Sequence, residues 1–460
     1  MRSFLPAFLV AFSLLPGTGF GQTAAPVSQQ PVLIRIYYDS LDQPRVKEEL
    51  SVILDTCEVL HGPYVRYHPS GRVAARGTFR FGKKDGVFTE YYENGRKKIE
   101  VGYKDDMKQG SLLAYNEKGI VLQEGVYEND QPKDAFKAYY SDGKPRLEGR
   151  FVNGKPEGLV KEYYPGGQVK EEMNYLRNQL EGTGKTYYET GGLHTEANYN
   201  AGTLNGALKS YHPNGKLHTE YFSEGGKKKG YSRTYNDRGT LVLESVYQNG
   251  LLDGETKGYS ENGTPKQTLT YRNGIKTGPA RLFYPDGQTQ EIILYRNNAR
   301  DRDVQAFYSN GKIEQVSQYE GKQPVGAWKR YYETGQLQLE ETYEAGKLAG
   351  KRTRYYADGS LEAEETYVSG KKEGLVKTYY PAGGLSATGN AGKNPVGTPK
   401  SAAIYSKGMR NGAYQSFHPN GKVASAGPYR NDREHGKWNE FDERGKITRT
   451  VVYQYGVPPP

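Results

Sequence analysis

The chain has 460 residues, of which only 35% are hydrophobic, and its 41 Tyr outnumber 14 Phe and 2 Trp together, so burial must come largely from amphipathic rings rather than from several compact aliphatic cores. With 58 Gly, against a usual ~7%, frequent turns are expected. The formal charge of +10 comes from 63 basic residues interleaved with 53 acidic ones; the densest basic run, "GKKKG" at 226–230, reads as a solvated loop, so nucleic acid is not an expected partner.

Residues 1–21 begin with Arg2, continue through an apolar run from Phe4 to Leu15 and end in small residues before Gln22, the layout of a secretory signal peptide. The run is short and broken by Pro16 and Gly17, and no later stretch approaches the ~18 apolar residues of a membrane helix. An exported chain with no transmembrane span is expected, periplasmic, cell-surface or secreted, with peripheral membrane contact left open. The single cysteine, Cys57, excludes an internal disulfide. Residues 22–61 read as a linker followed by an aliphatic-rich N-terminal capping hairpin.

From Gly62 onward the sequence has a period of 24 residues: Gly62, Gly86, Gly110, Asp134, Gly158 and so on to Gly374 mark fourteen units over 62–383, and Gly412 and Gly436 open two more over 412–453. Numbering each marker as position 1, position 6 is always aromatic, position 10 is always glycine, and position 18 is aromatic in most units. Position 9 is often Asn or Asp (Asn94, Asp142, Asn214, Asn262). The resulting Asn-Gly and Asp-Gly pairs predict a two-residue type I′ hairpin turn at positions 9 and 10, with a three-residue turn left open where Pro precedes, as in "YHPNG". Such a hairpin sets position 4 opposite position 15. Lys137 then faces Glu148, Lys161 faces Glu172, Lys185 faces Glu196, Lys209 faces Glu220, Arg233 faces Glu244 and Lys329 faces Glu340, and each opposite-charge pair across a ladder adds a few tenths to ~1 kcal/mol. Residues 384–411 interrupt the period and read as an irregular insertion; the tail 454–460 is Pro-rich and unable to extend a sheet.

The pattern G-x-x-x-x-Y-Y-x-N-G-x-x-x-x-E-x-x-Y-x-x-G-K-x-x-G, with "GVFTEYYENGRKKIEVGYKDDMKQG" (86–110) and "GKRTRYYADGSLEAEETYVSGKKEG" (350–374) as close copies, resembles the variant MORN repeat. The resemblance implies an all-β fold, an elongated single-layer antiparallel sheet of about sixteen β-hairpin repeats. Thirty-two strands at ~4.8 Å spacing give roughly 150 Å. Asp134 and Arg302, where the marker glycine is expected, and the shifted "YFSEGG" at 221–226 depart from the pattern. Eukaryotic relatives are linked to lipid or protein scaffolding, and bacterial chains with this variant are often labelled antitoxin-like.

No catalytic constellation emerges. His68, His212 and His418 precede Pro at the same repeat position, but six units, or roughly 55 Å of sheet, separate the first two, too far to share a metal. The position-15 glutamates face cations that hold them ionised, which favours a salt-bridge ladder over an acid–base pair. "GTGKTYY" (182–188) lacks the first glycine of a phosphate loop and falls in a hairpin. No cofactor, metal or catalytic residue is expected, and the chain reads as a non-enzyme. The candidate binding face is the position-6 stripe: Tyr91, Tyr139, Tyr163, Tyr187, Tyr211, Tyr331, Tyr355 and Tyr379. The expected partner is a protein or another envelope macromolecule, with a glycan or lipid headgroup and an antitoxin-like protector role as alternatives.

Overall fold

The computed structural model describes residues 30–38, 45–54, 58–382 and 397–457. The leader, Cys57 and the centre of the irregular segment fall outside the described residues. Regular structure there is all β, with no α-helix. Seven of the 41 strands are two-residue pieces, each split by one residue from the strand that follows it. Rejoined, they leave two strands for each of the sixteen repeats and two more before the first.

Two compact units divide between Gln168 and Val169. In the first, β1 (Val32–Tyr37), β2 (Val46–Leu54), β3 (Glu58–Tyr67) and β4 (Val73–Arg80) pair antiparallel in sequence order, and the same neighbour-to-neighbour order runs on to Lys155–Tyr163. In the second it runs from Val169–Leu176 to Ile447–Tyr453. The expected antiparallel hairpin fold is therefore what each unit shows. The register also agrees: Lys137, Lys185, Lys209, Arg233 and Lys329 lie opposite Glu148, Glu196, Glu220, Glu244 and Glu340.

The turn chemistry differs from the expectation. At the Asn-Gly turn the Gly95 N–H donates to the Tyr92 carbonyl, the Tyr92 N–H donates to the Arg96 carbonyl, and only the glycine has positive φ (+84°). The pairing slips by one residue between Glu90 and Tyr91. This is a type I turn closed by a glycine bulge rather than a type I′ turn. Asparagine serves a different purpose here. Asn94 Oδ1 accepts the Arg96 N–H at 3.0 Å while its Nδ2 donates to the Glu117 carbonyl of the next repeat at 2.9 Å, and Asn214, Asn310 and Asn420 repeat the forward bond. The two-residue turns with both central residues at positive φ lie at the other edge, at positions 20 and 21, as at Asp105 and Asp106 (+51° and +71°).

The marker glycine is also explained. Gly110 (φ +91°) sits where the ladder slips between Val101 and Tyr103. Asp134 takes the same conformation (φ +57°), which Asp tolerates better than most residues. At Arg302 the ladder does not slip; the extra residue has moved into the turn, where Asn297, Asn298 and Ala299 are all at positive φ, so no glycine is needed. Within the segment expected to be irregular, Pro399–Ser406 pairs with Gly374–Tyr379 and with Met409–Phe417. Gly374 lies opposite Tyr405 as Gly350 lies opposite Tyr367, so the repeat register resumes by residue 399.

Burial concentrates on the face carrying positions 3, 16 and 18, where Val101 and Leu112 are 2% and 3% exposed. Position 16 of one repeat and position 3 of the next share volume: a Cβ added at Gly77 would meet the Phe88 ring at 2.5 Å, and one at Gly427 would collide with the Trp438 indole. The rings continue edge to face through Tyr64, Phe79, Phe88 and Tyr103 at 5.3, 5.4 and 5.5 Å, pairs worth ~0.5–1.5 kcal/mol each beyond area burial.

Candidate binding surface

Period-two alternation places positions 2, 4, 6, 15 and 17 on the opposite face. The position-6 tyrosines lie there but do not protrude: Tyr379 is buried and the other seven are half-buried. Four of their hydroxyls reach the glutamate ladder of the preceding repeat. Tyr139 donates to Glu124 at 2.6 Å, Tyr163 to Glu148 at 3.0 Å, Tyr187 to Glu172 at 2.9 Å and Tyr379 to Glu364 at 3.0 Å. Burial, then the adjacent carboxylate, pushes the Tyr139, Tyr187 and Tyr379 phenols up to about 12. The Tyr91 ring takes Arg76 at 5.6 Å from its centroid. Tyr211, Tyr331 and Tyr355 accept at their carbonyls the hydroxyls of Tyr188, Tyr308 and Tyr332.

Those last bonds belong to a second ladder that sequence reasoning did not single out. The position-7 side chain donates to the position-6 carbonyl one repeat ahead, as in Tyr92 to Tyr115 (2.8 Å), Tyr140 to Tyr163 (2.6 Å) and Tyr356 to Tyr379 (2.9 Å). His68, His212 and His418 place Nε2 at 2.9–3.0 Å from the equivalent carbonyls, so each is engaged at its own turn. Among the described residues no group of three or more His, Cys, Asp or Glu is arranged to hold a metal ion, and no helix is long and apolar enough to cross a membrane.

What this face offers outward lies at positions 2 and 17. Val87 (59% exposed), Tyr231 (57%), Leu375 (51%) and Leu159 hold position 2; Phe222 (49%), Leu294, Ile404 and Val452 hold position 17. Leu375 lies opposite Ile404 and Tyr231 opposite Val246. Ion pairs flank two of these sites, Arg233–Glu244 at 2.8 Å near Tyr231 and Lys351–Glu364 at 2.9 Å near Leu375. Two hollows open beside the apolar side chains. One of about 200 Å³ is lined by Lys209, Glu220, Phe222, Tyr231 and Arg233; another of about 300 Å³ is lined by Lys351, Glu364, Leu375 and Lys377. The register that sets position 4 opposite position 15 also sets 2 opposite 17, and that is the signal in the sequence that points to them.

The MORN repeat variant profile matches nine segments: 84–105, 156–176, 180–201, 204–225, 252–273, 276–297, 324–345, 348–369 and 410–431. The chain is a MORN-variant repeat protein. A search of curated proteins gives no match. Among solved structures, this MORN-variant chain is similar to the TcdB2-TccC3-TEV crystal structure (10% identity, TM-score 0.14, 93% of this chain and 23% of that one). It is also similar to the TcdB2-TccC3-Cdc42 crystal structure (12%, 0.14, 93% and 23%) and to a Photorhabdus luminescens Tc holotoxin pore (12%, 0.15, 94% and 24%). The chain spans about a quarter of the length of these structures.

Proposed function

We propose that this repeat protein is an exported, non-enzymatic scaffold that binds a protein or another envelope macromolecule through the face carrying positions 2, 4, 6, 15 and 17. The observation that carries the reading is the recurrence, in about half of the repeats, of an exposed apolar side chain at position 2 or 17 (Val87, Val126, Leu159, Phe222, Tyr231, Leu294, Leu375, Ile404 and Val452) on a face that also carries paired charges. That mixture suits a protein surface: the apolar groups supply area to bury, and the fixed Lys–Glu and Arg–Glu pairs supply register without a net field of one sign. The leader-like sequence at 1–21 supports export.

A glycan or headgroup read by the tyrosine stripe is less well supported, because hydroxyls such as those of Tyr139 and Tyr379 are already committed to carboxylates. The test is crosslinking of the tagged protein in its own cells, followed by the same experiment with the Phe222→Ser, Tyr231→Ser double variant. Loss of the crosslinked partner supports the proposal. A partner retained unchanged, or a hydrolase activity abolished by one point substitution, overturns it.

A further inference from the structure

The position-7 ladder is interrupted where Asn236 and then Ser260 occupy successive repeats. Asn236 still bridges forward, from Nδ2 to the Glu261 carbonyl at 2.9 Å. Ser260 is too short to do so. Its hydroxyl turns into its own loop, bonding Asn262 and the Thr264 carbonyl, and no side-chain hydroxyl reaches the Phe283 carbonyl in the way that Tyr284 reaches Phe307 at 2.7 Å one repeat later. At this point the turn edge carries a hollow of about 630 Å³, whose lining includes Ser260, Thr264, Pro265, Lys266, Phe283 and Tyr284. Three sides of a tyrosine site are therefore present without the ring: an aromatic wall, a backbone acceptor and a position-13 side chain.

The position-13 residue gives a second, independent sign. In three repeats whose position 7 is a ring, position 13 packs on it: His194 against Tyr188 at 4.6 Å, His218 against His212 at 4.5 Å, and Lys400 with its Nζ 5.7 Å from the centroid of Tyr380. Lys266 is the position-13 residue of the Ser260 repeat and lines the hollow. Like Lys400 it is a position-13 lysine, but position 7 of its own repeat, Ser260, offers it no ring.

We propose that this hollow binds a tyrosine side chain of a partner polypeptide. The phenol ring enters against Phe283 and under Lys266, its hydroxyl donates to the Phe283 carbonyl, and flanking peptide occupies the remaining volume, so that the partner supplies in trans the contact that other repeats supply in cis. A cation over a ring adds ~0.5–2 kcal/mol, and a ring seated against an aromatic wall adds area burial. The site lies at the turn edge and shares with the face proposed above only position-6 residues, Tyr259 and Phe283, and none of the side chains at positions 2 and 17. It is probed with a small amide, so failure of either proposal leaves the other standing.

The experiment is titration of the full chain with N-acetyl-tyrosinamide, read by saturation-transfer NMR and equilibrium dialysis, against the Ser260→Tyr and Ser260→Ala variants. Saturable binding is expected in the parent chain. It should weaken at least about tenfold in Ser260→Tyr, whose own ring fills the hollow, and persist in Ser260→Ala. N-acetyl-phenylalaninamide, lacking the hydroxyl, should bind several-fold more weakly. A Ser260→Tyr chain that melts no lower than the parent shows that loss of binding is not loss of fold; if it melts lower, Lys266→Ala takes its place, and several-fold weaker binding is expected. Undiminished binding in the Ser260→Tyr chain, no saturable binding in the parent, or binding of methyl pyranosides in place of the amide overturns the proposal.

Discussion

The repeats around residues 64–103 and those around 341–372 place opposite chemistry at the same positions. In the first, positions 3, 16 and 18 hold Phe88, Gly77 and Val101, and Phe79 and Tyr103, a dry stack in which Phe88 is 5% exposed and a glycine leaves room for its ring. In the second, Arg352 holds position 3 between Glu341 and Glu365 of position 16, at 3.1 and 3.5 Å, with Lys372 at 2.8 Å from Glu365. Glu341 and Glu365 are 6% and 4% exposed, and Tyr343 and Tyr367 donate to them at 3.0 and 3.2 Å. Burial pushes the Glu365 carboxyl up, but Lys372 first and then the arginines outweigh it and hold the group below its ordinary range. The backbone frame is common to both regions: Gly86 lies opposite Tyr103 as Gly350 lies opposite Tyr367. The ladder therefore specifies the fold, while the inter-strand volume can be filled by rings or by a closed set of charges.

The largest effect should come from the aromatic region. Phe88→Ala removes a ring that several others lean on, and a loss of about 3–5 kcal/mol is expected. In a chain of neighbour-stabilised hairpins that loss is local, so amide hydrogen exchange should accelerate over residues 64–103 and remain unchanged over 337–379. Uniform acceleration across both regions would break the comparison.

Next in size is the ionic region. Arg352→Met leaves two buried carboxylates, of which Glu365 keeps Lys372 as a partner, and because the arginine is itself partly exposed, a loss of about 3 kcal/mol, the lower end for a broken buried pair, is expected in denaturant unfolding. Importing the other region's solution, as Arg352→Phe with Glu341→Gly and Glu365→Val, should recover that loss, since a well-packed apolar replacement of a buried ion set is often neutral or stabilising by ~1–4 kcal/mol. If the triple variant is as unstable as the single one, the two fillings are not interchangeable.

A smaller, pH-dependent effect separates the regions further. Tyr343 is raised from 10.0 to about 12 by burial and then by its bond to Glu341, whereas Tyr103 is raised chiefly by burial. A phenol whose folded pKa lies above its unfolded value contributes stability that is complete below the unfolded pKa and lost as pH rises through the folded one. Stability should therefore fall between about pH 10 and 12. In Glu341→Gln, ultraviolet titration should show one phenol ionising at lower pH, and Tyr103→Phe should remove a different step.

How much of this was legible in the sequence follows from what each residue type reports. The period, the strand count and the 4-to-15 register could be read because glycines and opposite charges recur at fixed spacing. The expected turn type differs from the observed one because Asn-Gly serves two geometries; the one-residue slip between Glu90 and Tyr91 and the positive φ confined to Gly95 separate them, and neither is written in the letters. The position-3 and position-16 complementarity stayed hidden because its partners vary together, as Phe with Gly or Arg with Glu, so neither position shows a constant letter. The half-burial of the tyrosine stripe was not legible, since a sequence does not show that Tyr139 lies within reach of a carboxylate one repeat back.

The pairs that revealed the register should matter least to stability. Lys329 Nζ lies 3.0 Å from Glu340, but both side chains are about two-fifths exposed (41% and 43%), so solvent screens their attraction and ordering two long side chains offsets most of the rest. Lys329→Ala is expected to change the unfolding free energy by less than about 0.5 kcal/mol, and that difference should vanish in 1 M salt, where the Debye length is ~3 Å. An effect comparable to that of Arg352→Met, insensitive to salt, would show that the exposed ladder is energetically buried and that the two faces of the sheet do not differ as described. A small effect leaves the ladder with the role its exposure suggests: opposite charges facing each other disfavour a one-residue slip, which would move every lysine away from its glutamate and every apolar side chain to the other face.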